Sequence, residues 1–139
     1  MYSRIVLAVD GSKNALRATD EAIKIASLIP DCKIEIVYVA DFSKTKNEIL
    51  HSQGKEALEL TRRKRLSPVE DKIKSKNLAY EIKRLHGDPG PTIIEYVNKE
   101  KVDLVVIGSR GLNALQEMVL GSVSHKVVKR VDCPVLVVK

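Results

Sequence analysis

The sequence predicts a single-domain α/β fold for residues 1–139, in which a doubly wound sheet of five parallel strands carries helices on both faces. Strand-like and helix-like segments alternate along the chain, which is the pattern of parallel βαβ units with right-handed crossovers. The segments 5–9, 104–107 and 135–138 are apolar without a break, as expected of strands that helices cover on both faces. A chain of 139 residues has the length of about one domain, and no internal repeat or linker divides it.

The first three elements are a strand, a helix and a second strand. The run RIVLAVD (4–10) is apolar and β-branched, and it ends at an Asp-Gly-Ser turn. A helix follows, with Ser12 or Asn14 as its N-cap and Pro30 as its end. Its apolar residues recur at helical spacing: Ala18, Ala22, Ile25, Ala26 and Ile29. The run KIEIVYVAD (33–41) is the second strand.

The middle of the chain is charged and helical, and then extended. From about residue 47 to residue 76 the composition is helical, but Pro68 interrupts the pattern because proline removes a hydrogen bond and clashes with the preceding turn. Either a kink or two helices results. The run LAYEIKRLHGD (78–88) places Tyr80 and Ile82 on one face, as in a half-exposed strand.

The last third of the chain repeats the alternation. The run GPTIIEYVNKEK (90–101) predicts a short helix whose buried residues are Ile93, Ile94 and Val97. The runs VDLVVIG (102–108) and CPVLVVK (133–139) are the last two strands. The helix between them has an apolar stripe formed by Val123, Val127, Val128 and Val131.

The net charge of +6 is confined to one segment. Residues 42–84 hold 12 Lys and Arg against 6 Asp and Glu, whereas the rest of the chain is balanced. The basic residues of this segment are interleaved with Glu and Leu, and Tyr80 is its aromatic residue toward the end. Nucleic-acid surfaces usually add stacking aromatics or a recognisable module, so we interpret the segment as a solvated helix face and predict no nucleic-acid partner. Binding of an acidic partner stays open.

The sequence predicts a cytoplasmic protein without a membrane span. No apolar stretch approaches the roughly 18 residues that a span requires, and the start MYSRIVLAVDGS lacks the layout of a signal peptide. Cys32 and Cys133 lie far apart without metal-ligand spacing, so we expect neither a disulfide nor a metal site and interpret both as small buried hydrophobic residues.

A glycine-rich stretch after the fourth strand is the strongest functional signal. Gly108, Gly111 and Gly121 follow the spacing G-x-x-G-x9-G-S. The first two would let the backbone turn sharply and approach a ligand, and residues 121–124 would present the amide N–H groups of a helix N-terminus to an anion. Glycines at such positions can also be present only because the chain turns there, without any ligand. The strand before, the helix after and Asp10 at the end of another strand favour a phosphate chain.

Three stretches resemble the universal stress protein family, specifically its ATP-binding branch: LAVDGSKNA, GSRGLNALQEMVLGSVS and CPVLVV. The resemblance covers essentially the whole chain. It implies the strand order 3-2-1-4-5, with ATP in the crevice between strands 1 and 4. The branch that does not bind ATP lacks these glycines, so their presence favours a nucleotide.

The same resemblance implies site residues. Ala8 and Val9 would line the pocket floor, and Asp10 would meet the nucleoside or its metal. Val39, at the end of the second strand, would hold the adenine edge through its backbone.

The resemblance also implies residues for the ribose and the phosphates. The residues that lie along the ribose and phosphates would be Ile107, Gly108, Ser109 and Gly111. Those closing on the phosphates would be Gly121, Ser122, Val123 and Ser124. Arg110 would either touch phosphate or extend into solvent.

These observations predict a nucleotide-binding regulatory protein. Its ligand would be ATP, with AMP or ADP as alternatives, and Mg²⁺ would arrive with the nucleotide. No lysine follows the helix-start glycine as in a G-K-[ST] phosphate loop, and we assign no catalytic residue; the nearby His125 is interpreted as a surface or packing residue. Two alternatives stay open: slow Mg²⁺-dependent ATP hydrolysis, and a nucleotide-free scaffold that uses the basic helical segment.

The last strand predicts a homodimer. PVLVVK at a sheet edge would leave unpaired main-chain groups exposed, and pairing with a second copy would cover them. The family resemblance implies the same assembly. Alternatively, Lys139 and the short length of the strand are sufficient to protect this edge from pairing with another chain.

Overall fold

The computed structural model describes residues 2–40, 55–110 and 121–139, which form five strands and four helices. The elements in chain order are β1 (Arg4–Val9), α1 (Lys13–Ser27), β2 (Lys33–Ala40), α2 (Lys55–Lys74), β3 (Ala79–His86), α3 (Pro89–Glu100), β4 (Leu104–Gly108), α4 (Ser122–Arg130) and β5 (Val135–Val138).

The sheet has the order β3-β2-β1-β4-β5, and all four neighbouring pairs are parallel. The predicted fold class and strand order are therefore confirmed. β1 lies at the centre, where Ala8 is aligned with Val37 on β2 and with Ile107 on β4. Between β1 and β4 the winding direction reverses, and this is the place where open α/β sheets bind ligands.

The helices divide between the two faces of the sheet. On one face, Ile5, Leu7 and Val9 of β1 form a core with buried residues of α1 and α2. On the other face, Val6 and Ala8 form a second core with buried residues of α3 and α4. This alternation within one strand explains why the sequence of β1 is apolar throughout.

Helix α1 begins as the sequence predicts and ends earlier. Ser12 is its N-cap, and the Ser12 hydroxyl oxygen accepts a hydrogen bond of 3.2 Å from the Ala15 amide. The helix stops at Ser27, with Leu28 as its C-cap, three residues before Pro30. Pro30 lies two residues beyond the C-cap, where proline is common because it cannot continue a helix.

Helix α2 continues through Pro68 as one helix from Lys55 to Lys74, so the two-helix alternative is wrong. Pro68 is exposed, whereas Leu66, Val69 and Ile73 are almost completely buried against the sheet. Burial of this apolar face stabilises the helix despite the missing hydrogen bond. The part of the predicted helix before residue 55 lies outside the described residues.

Helix α4 has a narrower apolar stripe than the sequence predicts. Val127 is fully buried and Val123 and Val131 are partly buried, but Val128 is 44% exposed. Residues four apart share a helix face, so the stripe contains 123, 127 and 131 and excludes 128. None of the helices within the described ranges is both long and apolar enough to cross a membrane.

The two cysteines are free in this structure. Cys32 is buried, as predicted, whereas Cys133 is only partly buried. Burial raises the pKa of each thiol.

The buried carboxylate of Glu35 links β1, β2 and α3 through hydrogen bonds. Glu35 on β2 is 1% exposed and accepts hydrogen bonds from Arg4 Nε at 2.7 Å, from Arg4 Nη2 at 3.0 Å and from the Tyr96 hydroxyl. Arg4 Nη1 also donates to the Glu100 carbonyl oxygen at 2.7 Å. Burial acts to raise the pKa of Glu35, but the hydrogen bonds from Arg4 and Tyr96 outweigh it and lower the pKa. The carboxylate therefore stays charged inside the protein.

Candidate functional site

The carboxyl end of β4 lies between the first turns of α1 and α4, and a hydrogen bond joins it to each. From α4, Ser124 Oγ donates to the Gly108 carbonyl oxygen at 2.6 Å. From α1, Asn14 Nδ2 donates to the Arg110 carbonyl oxygen at 3.2 Å. Two helix N-termini, from opposite faces of the sheet, thus meet at the end of one strand beside the switch point.

On the α1 side, the turn after β1 requires its glycine. Gly11 has a φ of +91°, in the region that favours glycine. The Ser12 amide donates to Asp10 Oδ1 at 2.9 Å. This turn holds the Asp10 carboxylate at the end of β1 and at the start of α1.

Gly108 lies in a close contact with α1 that the sequence did not predict. Its φ lies outside the left-handed region, so a sharp turn does not explain the glycine. A Cβ at this position would lie 3.0 Å from Asn14 Cβ and 3.2 Å from the carbonyl carbon and oxygen of Asn14. A side chain at 108 would therefore require α1 to shift by a few tenths of an ångström.

On the α4 side, Gly121 is the N-cap, with φ −61° and ψ 158°. The first hydrogen bond of the helix runs from the His125 amide to the Gly121 carbonyl oxygen at 2.9 Å. The amides of residues 122–124 have no acceptor inside the helix and none elsewhere among the residues described by the structure. These three N–H groups, at the positive end of the helix dipole, are an arrangement that attracts anions.

The two serines of this turn differ in their surroundings. Ser122 is exposed, whereas Ser124 is 4% exposed. A hydroxyl has one proton to donate, and Ser124 donates it to Gly108. The Ser122 hydroxyl is therefore the one that a ligand outside the protein can reach, while Ser124 offers its main-chain amide.

Ser109 has both main-chain groups occupied. Its amide donates to the Val138 carbonyl oxygen at 2.7 Å, and its carbonyl oxygen accepts from the Gly121 amide at 2.7 Å. Ser109 thus connects β4 to the end of β5 and to the start of α4. The predicted site residue Gly111 lies outside the described residues.

The remaining predicted site residues lie on two different faces. Ala8 and Ile107 are aligned neighbours on β1 and β4, and their side chains contact the second core together with Val39. The side chain of Val9 belongs instead to the core beneath α1 and α2. The structure thus brings Ala8, Ile107 and Val39 to one face and places the Val9 side chain on the other.

A cleft of about 220 Å³ opens between α1 and α2, on the Val9 side of the sheet. The residues that line it are Gly11, Ser12, Leu16, Lys64, Arg65, Pro68 and Val69. Arg65 Nη1 donates to the Tyr38 hydroxyl at 2.9 Å. Part of the charge of α2 is also paired within the chain, because Lys72 Nζ lies 3.0 Å from Asp20 Oδ1.

Within the described ranges, no group of three or more His, Cys, Asp or Glu side chains is placed to hold a metal ion.

Asn14 is the residue that sequence reasoning missed. The sequence suggested it as an alternative N-cap, but Ser12 has that role. Asn14 lies two residues later, in the first turn of α1, 8% exposed and hydrogen-bonded to the segment after β4. Its position four residues before Ala18, on the predicted buried face of the helix, was the available signal.

Comparison with known proteins identifies the family of this chain. The model of the universal stress protein family matches residues 1–139. Universal stress protein MJ0531 of Methanocaldococcus jannaschii is 33% identical over 150 residues, which cover 100% of this chain and 83% of that protein.

Solved structures share the fold. The hypothetical protein MJ0577 is 26% identical, with a TM-score of 0.84 over 100% of this chain and 96% of that one. A universal stress protein in complex with cAMP is also 26% identical, with a TM-score of 0.70 over 98% of this chain and 95% of that one.

Proposed function

Because this chain belongs to the universal stress protein family, we propose that it is a regulatory protein that binds ATP at the carboxyl ends of β1 and β4. The observation that carries the proposal is the set of three main-chain amides at residues 122–124, which lie beside the end of β4 without protein acceptors in the described part of the chain. The cAMP complex of a structural neighbour supports an adenine nucleotide as the ligand.

The phosphates would lie against the start of α4. The amides of Ser122, Val123 and Ser124 would donate to phosphate oxygens, and the Ser122 hydroxyl would add a fourth donor. Gly121 would leave room for the phosphates to approach the backbone. Ser109 would contribute its side chain, since its amide and carbonyl oxygen are occupied. Gly111 and the Arg110 guanidinium complete the phosphate contacts in this proposal.

The nucleoside would lie over the strand ends on the α3 and α4 face. Ala8 and Ile107 are aligned neighbours there, and both side chains belong to the second core. Val39 is partly exposed at the penultimate position of β2, where its main chain would hold the adenine edge. The main chains of Gly108 and Val9 would form part of the surface beneath the nucleoside.

Mg²⁺ fits this site as a companion of the nucleotide. The ion binds proteins through one or two carboxylates together with substrate phosphates, and Asp10 is held at the end of β1 by the Ser12 amide. When bound, the ion would neutralise phosphate charge.

ATP would regulate the protein by stabilising one arrangement of β4, α4 and β5. Ser109 connects these three elements through main-chain hydrogen bonds, so a ligand on the start of α4 also stabilises the end of β5. A ligand that binds the folded state alone stabilises it by mass action.

We also propose a homodimer through β5. Both β3 and β5 are edge strands, but their surfaces differ. On β3, Lys83 Nζ lies 2.6 Å from Glu81 Oε1, and Glu81 also pairs with Lys33; charge of this kind protects an edge from pairing. Residues 135–138 of β5 are Val, Leu, Val and Val, all partly exposed. The apolar edge is the one suited to a second copy.

The test of ATP binding is a calorimetric titration of the purified chain, combined with mass spectrometry of any nucleotide that copurifies. We expect ATP to bind and an adenine nucleotide to copurify. A chain that binds no adenine nucleotide and carries none would contradict the proposal and favour the scaffold alternative.

A further inference from the structure

We infer that Asn14 is a positioning residue of the nucleotide site, which holds the main chain after β4 in the orientation that the phosphates require. The inference rests on the proposed function and extends it to a residue on the opposite face of the sheet. Asn14 itself would not touch the nucleotide.

Asn14 is fixed through both ends of its amide group. Nδ2 donates to the Arg110 carbonyl oxygen at 3.2 Å, and Oδ1 accepts from Arg17 Nη1 at 2.8 Å. The residue is 8% exposed although it lies in the first turn of a surface helix. The hydrogen bond from Arg17 turns the amide so that its donor faces Arg110.

The main chain of Asn14 packs against the same segment. A Cβ on Gly108 would lie within 3.2 Å of three Asn14 atoms, so α1 contacts the end of β4 without an intervening side chain. Ser124 and Gly121 hold the segment from the α4 side through Gly108 and Ser109. Residues 108–110 are therefore held from both faces, and Asn14 supplies the side-chain contact from α1.

The direction of the Arg110 carbonyl explains why this contact matters for an anion. A carbonyl oxygen carries partial negative charge, and one that faced the start of α4 would repel phosphate oxygens. The hydrogen bond from Asn14 turns the Arg110 carbonyl toward α1 instead. Without the Asn14 side chain, the Arg110 carbonyl could rotate toward the phosphates. The loss of binding affinity should therefore be larger for a ligand with more phosphates.

The experiment compares ATP with adenosine in the Asn14→Ala variant and in a matched control. Thr19→Val is the control because Thr19 is fully buried in the same helix and donates one hydrogen bond to the Ala15 carbonyl oxygen at 2.7 Å, within α1 itself. Calorimetry gives both affinities, and thermal unfolding without ligand gives the stability of each variant. Asn14→Ser, which keeps a good residue for a first helical turn, replaces Asn14→Ala if that variant does not fold.

We expect Asn14→Ala to weaken ATP binding by up to about tenfold, the scale of one hydrogen bond, while adenosine affinity changes by less than about twofold. Thr19→Val should lose stability and keep its ATP affinity. The inference is overturned if ATP and adenosine weaken equally, if both variants lose ATP affinity to the same extent, or if Asn14→Ala binds ATP like the wild type. A wild-type chain that binds neither ligand overturns the proposed function itself, and this inference with it.

Discussion

Ser124 Oγ donates a 2.6 Å hydrogen bond to the carbonyl oxygen of Gly108, and this contact joins the first turn of α4 to the last residue of β4. Both groups are buried. The contact sets the distance between the helix N-terminus and the end of the strand, which are the two parts that the proposed phosphate site requires.

Ser124→Ala should therefore destabilise the protein, by about 1 kcal/mol for the lost buried hydrogen bond. Ser122→Ala, two residues away on the exposed side of the same turn, should change stability by less than about 0.5 kcal/mol but weaken ATP binding. Urea unfolding and calorimetry measure the two effects. Equal stabilities of the two variants would show that the Ser124 contact contributes nothing.

Gly121→Val should leave the protein folded and remove ATP binding. The φ of −61° and ψ of 158° at this N-cap are accessible to valine, so the backbone tolerates the change, but a β-branched side chain would occupy the space that the phosphates need. In a thermal melt, wild-type protein with ATP at about 100 times its dissociation constant should gain about 2.7 kcal/mol of stability, and the variant should gain none. Val128→Ala, on the exposed side of α4, serves as the control. A Gly121→Val protein with a normal ATP-dependent shift would refute the proposed phosphate position.

The sequence predicted the sheet well because its strands are buried on both faces. The continuous apolar run of β1 is explained by two separate cores, and the looser alternation of β3 reflects its place at an edge. The continuation of α2 through Pro68 was not predictable from local propensity, since packing of Leu66, Val69 and Ile73 determines it.

The site was only partly predictable, because several of its contacts join residues far apart in the chain. The glycine spacing identified the end of β4 and the start of α4. The reason for Gly108 lies in the approach of Asn14, 94 positions earlier in the sequence, and the occupied amide of Ser109 depends on the end of β5. A single sequence does not identify the distant partner residue in either contact.

Glu35 should make the stability of the protein dependent on acid pH. The pKa of Glu35 is lowered in the folded state from 4.5, so the unfolded state binds the proton more readily. The resulting stability is fully present above pH 4.5 and is lost as the pH falls through the lowered pKa. Asp103, whose pKa is lowered by the Arg4 amide, acts in the same direction.

Glu35→Gln should therefore cost about 2 kcal/mol near neutral pH, the scale of hydrogen bonds to a charged group, and the difference from wild type should shrink toward about pH 3. Urea unfolding at both pH values measures it. Glu95→Gln, an exposed carboxylate on α3, is the matched control and should have little effect. A difference that stays constant with pH would exclude ionisation of Glu35 as the cause.

Val137→Pro should convert the proposed dimer into monomers. The carbonyl oxygens of Pro134 and Val138 accept hydrogen bonds from Val105 of β4 at 3.0 Å and from Ser109, the residue after β4, at 2.7 Å. Because main-chain groups alternate in direction along a strand, those of Val137 face the open edge. Proline there removes a donor from the edge without removing one from the β4 ladder.

Val137→Thr keeps the amide and is the control, which should remain dimeric. Sedimentation velocity at micromolar concentration gives the mass, and circular dichroism shows that each variant is folded. The β5 interface is rejected if the wild-type chain sediments as a monomer or if folded Val137→Pro stays dimeric.

The most direct test of the phosphate site is a crystal structure of the chain with Mg-ATP. We expect phosphate oxygens within about 3.2 Å of the amide nitrogens of residues 122–124, with the adenosine over Ala8 and Ile107. Phosphates bound elsewhere, or protein side chains in place of phosphate at the start of α4, would contradict the proposed site.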